Sequence, residues 1–506
     1  MTSLPDWLDP LYDADEMRAC DAWAIDEQGV PSLDLMERAS LGLARLTARL
    51  ARPGLPIRVV VGPGNNGGDG LAAARLLRGE GRVVDVLAVG SLDKLRGDAL
   101  ANLDRLPGGP PEPFAARSLD GSGAIVDAML GTGFEGAPRD PVAAAIAAIN
   151  AADAPVIACD VPSGVDASTG EVLIDAVRAD ATATFHGSKI GLHVAPGALY
   201  VGEVEIAAIG IPRGAPSPTA AGLIAERVLD LFPRRERFGS KFDSGVVAIA
   251  GGSRGLTGAP ALAALAAARA GAGYVQVAVP ESAQPALALR LLEQMAHGMP
   301  EADGAHSSDG VEPFLELAAR AGAVVLGPGL GRSDSAVAFA RDVAARVAGP
   351  LLIDADGLNA HAGALGSLRE RSAPTVLTPH AGELGRLLER DSAEIDGRRL
   401  ASAREAAELS GAVVLLKGDD TVVAAPGGPV AVSPGATPAL ATAGTGDVLA
   451  GLIGALLAKG LAPFEAAALG TLAHARAGRA AAARHGVDHT IAGDVVDALP
   501  DGLGSR

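Results

Sequence analysis

The stretch IRVVVGPGNNGGDG, Ile57 to Gly70, sets the reading of the N-terminal half. A β-type apolar run ends in glycines. Gly62, Gly64 and Gly67 fit the G-x-G-x-x-G turn that leads a strand into a helix and turns backbone N–H groups toward a pyrophosphate. Asp85, closing the next apolar run, stands where a ribose-binding acid belongs. The spelling departs from that fingerprint at Asn65, Asn66, Gly68 and Asp69, because a phosphate cradle gains nothing from a carboxylate beside it. Strand, glycine turn and helix predict an α/β unit, and the polar insert leaves its ligand open.

From about residue 36 to 211, β-type runs at 57–61, 83–89, 124–130, 156–159 and 181–185 alternate with helix-period segments such as 71–79 and 142–151. This is the pattern of a mostly parallel sheet wrapped by helices. Residues 13–50 add amphipathic helix in front, and IPRGAPSPTAAG at 211–222 concentrates Pro, Gly and Ser as the linker candidate. A second alternation follows, with runs at 246–250, 274–279, 323–326, 351–353, 375–377, 412–416 and 421–424 between Ala-rich helices at 259–270, 392–409 and 446–458. The expected organisation is two α/β domains, 1–222 and 223–506, without a short-period repeat.

Length and charge narrow the function classes. A chain of 506 residues exceeds what one core accommodates, and 48% hydrophobic content argues for packed layers. A net charge of −18 excludes non-specific binding to nucleic acid or an anionic membrane, leaving small molecules and a homo-oligomer as expected partners. Cys20 and Cys159 offer neither a disulfide framework nor a metal cluster and read as core residues. The acidic N-terminus lacks an export pattern, and the apolar run 449–457 is too short to span a bilayer, so a cytoplasmic protein is expected.

In α/β sheets ligands sit beyond the C-terminal ends of strands. Three such ends in the first domain read GPGNNGGDG, DAMLGTGFEG (127–136) and DVPSG (160–164). Their Asn, Asp and Ser oxygens suit a hard cation. Asp127 and Asp160 are open to two readings, general acid/base or cap. Lysine occurs only at 94, 189, 241, 417 and 459; Lys189, in FHGSKIGLH near a strand end, is either a selected site cation or an ordinary surface charge.

Together GxGNNGGDG, DAxxGTG, DxPSG and the KxGL at 189–192 resemble the YjeF N-terminal family of NAD(P)H-hydrate epimerases over residues 10–215. The resemblance implies a Rossmann-like three-layer sandwich. It places the hydrated nucleotide on Asn65, Asn66, Gly67, Gly68, Asp69 and Lys189, with Gly131, Thr132, Gly133, Phe134, Glu135, Gly136 and Ala137 around the pyrophosphate side. It also implies K⁺ on Asn66, Asp127 and Ser163, and makes Asp160 the substrate-binding acid/base.

In the second domain, TPALATAGTGDVLAGLIGALLA (437–458) sets a glycine turn before an apolar helix, whose free N–H groups form an anion site with Asp447 in the first turn. KGDDT (417–421), GPGLG (327–331) and TPHAGE (378–383) add strand-end loops. An anion hole plus a carboxylate able to take a hydroxyl proton is the apparatus for phosphoryl transfer to an alcohol, and the chain has no Walker motif.

GTGD, KGxxT and TPHxGE resemble the ribokinase-like superfamily, and within it the ADP-dependent NAD(P)H-hydrate dehydratases, over about 225–500. The resemblance implies a ribokinase-like three-layer sandwich. Lys417, Gly418, Asp419, Asp420, Thr421 and Gly446 would hold the adenine nucleotide with Mg²⁺, Ala259, Gly329, His380 and Asp447 would contact the hydrate, and Asp447 would act as base. DADGLN (354–359) carries Gly357 where the family more usually has Ala. The expected function is repair of hydrated NADH and NADPH by epimerisation and ADP-dependent dehydration of the S form, releasing AMP and phosphate. The rival is an ATP-dependent kinase of a small vitamin-type alcohol carrying a non-catalytic N-terminal binding module.

Overall fold

The computed structural model describes residues 4–218 and 220–504. Thr219 of the linker candidate, and residues 1–3 and 505–506 at the ends of the expected domains, lie outside them. Two compact units divide the chain. The first comprises Met1–Leu4 with Pro10–Ala221, the second Pro5–Asp9 with Gly222–Arg506.

In the first unit a seven-stranded, all-parallel sheet is centred on Ile57–Val61. Val84–Ala88 and Glu112–Pro113 lie on one side; Ala124–Ala128, Val156–Cys159, Ala181–Phe185 and Glu203–Ala207 lie on the other. Chain order therefore reverses between Ile57–Val61 and Ala124–Ala128, which opens a crevice at their C-terminal ends. Both faces are covered. Leu43, Leu71 and Leu77, from helices Ser32–Leu50 and Asn65–Gly79, pack on one side, and Ile146 and Ile149, from Val142–Asn150, on the other.

The second unit repeats this plan. Val246–Ala250 lies between Tyr274–Pro280, with Met295–Met299 beyond it, and the series Ala323–Leu326, Leu351–Ile353, Thr375–Leu377, Val413–Leu416, all parallel. Val422–Ala424 and Val430–Val432 continue the sheet antiparallel. Helix Thr445–Ala458 lies close on the sheet: a Cβ at Gly454 would stand 2.4 Å from Val325. It absorbs the apolar run 449–457 as a buried helix, and no helix among the described residues is long and apolar enough to cross a membrane.

Departures from the expected elements have local causes. The first glycine-loop helix begins at Asn65 rather than 71, so NNGGDG is helix rather than loop. Its glycines allow backbone contact that any side chain forbids, since a Cβ on Gly67 would lie 2.0 Å from the Gly62 carbonyl oxygen. The expected helix 392–409 is two, Ser392–Gly397 and Arg399–Ser410, broken where Arg398 leaves helical dihedrals (φ −138°, ψ 45°). Cys20 and Cys159 are free and buried.

Candidate active sites

A cavity of about 1030 Å³ opens at the reversal point of the first sheet. Asn65, Asn66 and Asp69 reach it from the start of their helix, Gly131 to Glu135 from the next strand end, and Asp160 and Lys189 from beyond. Asp160 follows the strand Val156–Cys159 at φ 66°, a left-handed conformation few non-glycine residues adopt and one concentrated at functional sites. Its carboxylate is saturated. Oδ1 accepts from Lys189 Nζ at 2.6 Å and Thr184 Oγ1 at 3.2 Å, and Oδ2 accepts from the hydroxyl of Thr132 and, at 3.4 Å, its N–H.

Lys189 is 1% exposed, which ends the surface-charge reading. Its ammonium also donates to Thr184 Oγ1 and the Phe185 carbonyl, both at 2.9 Å, and Leu11 and Tyr12 pair in parallel with Ser188 and Lys189 to fix the backbone beneath it. Burial opposes charge on Asp160, but Lys189 and then Thr132 overrule it and hold the carboxyl below its usual range. Asp69 is the opposite case: burial pushes its carboxyl well up, and Asp160 and Asp21 push it further. The two carboxyl groups are thus pushed in opposite directions, Asp160 toward the ionised form by its donors and Asp69 toward the protonated form by burial.

Asp127 and Ser163 lie fully buried below the cavity floor. Ser163 donates to Asp127 through its N–H at 2.8 Å and its hydroxyl at 2.6 Å; Leu130 N–H donates to Ser163 Oγ at 2.9 Å, and Asn66 reaches the Leu130 carbonyl at 2.7 Å. The Asp127 carboxylate, the Ser163 hydroxyl and the backbone of Leu130 are thus joined in one hydrogen-bonded chain, with the Asn66 side-chain N–H donating to the Leu130 carbonyl. Burial raises the Asp127 carboxyl to about 6 despite Ser163's donors.

Of the other expected contacts, Gly67 and Gly68 are packed inside the helix, and Gly136 and Ala137 do not line the cavity. Asp85 is ion-paired to Arg58 across neighbouring strands, which removes its ribose role. The sequence reading missed Asp21, which lines the cavity from helix Ala14–Ala22 beside Met17 and Arg18. The spacing of 17 and 21 on one helical face was the available signal.

In the second unit, strand ends converge on Lys417. Its Nζ stands 2.9 Å from Asp354 Oδ1 and 3.6 Å from Glu383 Oε2, and a Cβ on Gly446 would sit 3.6 Å from it. Burial works against the ammonium, yet Asp354 and Glu383 keep its pKa above the ordinary value. Asp354 also accepts from Thr378 Oγ1 at 2.9 Å. Helix Thr445–Ala458 starts from Gly444 at φ 93° with no side-chain cap, so its first N–H groups are available to an anion. Asp447, in that first turn, is raised to about 7 by burial and then by Asp354, with Lys417 partly compensating.

Gly329, at φ 65°, abuts Ala259: a Cβ there would lie 3.2 Å from that of Ala259. His380 caps helix Ala381–Leu388, its Nδ1 accepting from Gly382 N–H at 3.0 Å while Glu383 Oε2 accepts from His380 N–H at 2.9 Å; the ring remains half-exposed. The loop 417–421 divides by role. Asp420 is paired with Arg399 at 2.9 Å and Thr421 donates to the Gly418 carbonyl at 2.6 Å, so these side chains hold the turn, and Asp419 braces Ala436 N–H at 2.8 Å. In DADGLN, Ala355 takes φ 49°, and a Cβ on Gly357 would stand 2.7 Å from the Leu326 carbonyl oxygen, so glycine there allows two strand ends to touch.

Two sites at the C-terminal ends of parallel strands, each holding a lysine paired to a buried aspartate, define a two-site α/β enzyme. Residues 247–501 match the NAD(P)H-hydrate dehydratase family model, and residues 32–191 match the YjeF-related protein N-terminus model. The bifunctional NAD(P)H-hydrate repair enzyme Nnr of Moorella thermoacetica is 41% identical, covering 97% of this chain and 96% of the relative; that of Salinibacter ruber is 40% identical, covering 97% and 95%. A solved structure of the ADP/ATP-dependent NAD(P)H-hydrate dehydratase of Bacillus subtilis, co-crystallised with ATP/Mg²⁺, is 28% identical with a TM-score of 0.47 and covers 55% of this chain and 95% of that one. The chain belongs to the bifunctional NAD(P)H-hydrate repair enzyme family.

Proposed function

We infer that the chain repairs hydrated NADH and NADPH. Its first unit interconverts the R and S hydrates at C6 of the nicotinamide ring, and its second dehydrates the S form at the expense of ADP, releasing AMP and phosphate. The observation that carries this reading is the presence of both sites on one chain: a dehydratase selective for one epimer strands the other unless an epimerase accompanies it.

In the first site, C6 must lose and regain its hydroxyl, or the ring must open and close, with proton transfer at each step. Asp160, kept ionised by Lys189, would face the electron-poor ring, and Asp69, whose carboxyl burial pushes up, would be the proton donor beside it. The oxygens of Asp127, Ser163 and the Leu130 carbonyl, with the Asn66 amide beside them, suit K⁺, and Asp127 supplies the one charge a monovalent ion balances. Bound there, K⁺ would fix the loop 130–133 that lines the cavity.

In the second site Lys417 and the N–H groups opening helix Thr445–Ala458 are placed to hold the phosphates, and Asp447 to take the proton from the C6 hydroxyl as it attacks the terminal phosphoryl group. The ring nitrogen's lone pair then expels phosphate as N1=C6 forms, and loss of a proton from C5 to the departing phosphate returns the pair to nitrogen and restores the C5=C6 double bond. Asp354 and Glu383, the carboxylates beside Lys417, would hold Mg²⁺ brought with the nucleotide. Its chemistry there would be neutralisation of phosphate charge.

The test offers the purified chain both NADH-hydrate epimers with ADP and Mg²⁺ and follows NADH. Recovery from both epimers is expected, Asp447→Asn abolishing recovery while leaving interconversion. Recovery from neither epimer, or turnover of an unrelated alcohol with ATP, overturns the reading.

A further inference from the structure

The epimerase cavity contains a carboxyl group that its assigned chemistry does not use. Asp21 lies at the end of helix Ala14–Ala22 and lines the same cavity as Asp69, Asp160 and Lys189, although the three reach it from different elements. The next turn, Trp23–Glu27, is π-helical, a local rewinding that recurs at functional sites and re-aims the residues before it. The groups facing the cavity with Asp21 are Arg18 from its own helix and Asp69, Asp98, Glu135, Asp160 and Lys189 from others. Arg18 Nη2 is engaged by Asp15 on the helix surface, and Lys189 by Asp160, and among the described residues no ion pair holds Asp21.

Inversion at C6 sets a requirement that one carboxylate cannot meet. When the C6–O bond breaks, the ring-nitrogen lone pair forms N1=C6, and the leaving hydroxyl must receive a proton to depart as water. When water adds to the opposite face, its oxygen bonds to C6, the N1=C6 pair returns to nitrogen, and a proton leaves the incoming water. Each face needs a group that gives or takes that proton, and the roles exchange in the reverse direction. Asp160, with both oxygens engaged as acceptors, stays ionised and stabilises the cationic ring rather than serving either face.

We propose that Asp21 is a second acid/base residue of the epimerase site, exchanging a proton with the C6 oxygen on one ring face while Asp69 serves the other. The proposal rests on the epimerase reading of this site. Burial and the nearby Asp160 charge, opposed by Lys189, bring the Asp21 carboxyl to about 6, where both of its protonation states are populated near neutrality. Asp21 is also the more exposed of the pair, which lets it re-equilibrate with solvent between turnovers.

The test measures interconversion of the purified epimers by the full chain without ADP, above the spontaneous rate, for wild type, Asp21→Asn and Asp21→Glu. For Asp21→Asn, kcat should fall about 10²-fold or more with KM little changed, the limb near pH 6 should vanish from the profile, and Asp21→Glu should restore part of the rate. ADP-dependent dehydration of the S epimer should be unchanged in both, reporting an intact second unit. An Asp21→Asn enzyme with wild-type kcat, or one that raises KM alone while keeping the pH 6 limb, overturns the proposal. Should Asp21→Asn not fold, Asp21→Glu decides: an unshifted profile at wild-type rate overturns the proposal, a shifted one supports it. A wild type that interconverts nothing overturns the epimerase reading itself, a separate outcome because it appears before any variant is compared.

Discussion

Replacing Lys189 with methionine tests whether the buried ion pair organises the first site. At 2.6 Å and an effective dielectric of about 20, the Lys189–Asp160 attraction is roughly 6 kcal/mol. Desolvating each ion costs several kcal/mol, so the pair as a whole is near break-even. Removing one partner is another matter. Methionine fills most of the volume but leaves Asp160 charged and buried with only the threonine donors, and leaves the Phe185 carbonyl without the ammonium. The expected loss is about 3–5 kcal/mol at pH 8, or on the order of 10 °C in the melting of the first unit.

The sign with pH is distinctive. In the wild type Asp160's pKa is depressed, so its contribution is present above the unfolded carboxylate range and is lost as pH falls through the folded value. Without the ammonium, burial dominates and the pKa rises. The variant then binds a proton on folding, so its deficit shrinks as pH falls from 8 to 5. Calorimetry of the full chain at several pH values reads both effects, the second unit's transition serving as the internal reference. A deficit below about 1 kcal/mol at pH 8, or one that does not change with pH, refutes the claim that this pair is desolvated and coupled.

Dehydration should show kcat/KM rising with pH through about 7, because Asp447 must be ionised to accept a proton and burial and Asp354 hold it protonated below that; a profile flat from pH 5.5 to 8.5 contradicts its role as base. Gly67→Ala drives a methyl group to 2.0 Å from the Gly62 carbonyl oxygen and should destabilise the first unit by about 1–3 kcal/mol in calorimetry, with epimerisation falling and dehydration retained. Exchanging K⁺ for a bulky organic cation should slow epimerisation and leave dehydration with ADP and Mg²⁺ intact, and Asp127→Ala should remove the difference between the two salts.

Most central strands were legible because parallel strands buried on both faces read as unbroken apolar runs, as Val246–Ala250 and Ala323–Leu326 do. Met295–Met299 and Glu203–Ala207 escaped because edge strands carry polar and glycine residues that mask the pattern. Helix Pro463–His485 went unread because its alanines leave little contrast between faces. At Asn65 intrinsic propensity misled: three glycines among the first six residues argue against a helix, but packing against Gly62 and Ala128 overrides a cost of roughly 1 kcal/mol each.

The sites divide along the same line. Motif spelling located Asn66, Asp69, Lys417 and Asp447, because backbone turns at strand ends dictate glycine and acid positions locally. It could not say that Asp420 faces Arg399 instead of a ligand, or that Lys189 is buried, because both depend on partners far away in the chain. The two units answer the same electrostatic problem differently. In the first, lysine lowers one aspartate while burial raises Asp69; in the second, Lys417 is shared between Asp354 and Glu383, and Asp447 is raised to about 7. Parallel strands that end in polar loops supply a site in each unit. What separates epimerisation from phosphoryl transfer is which carboxyl group the single lysine leaves without a partner, and that follows from side-chain placement around the crevice rather than from the fold.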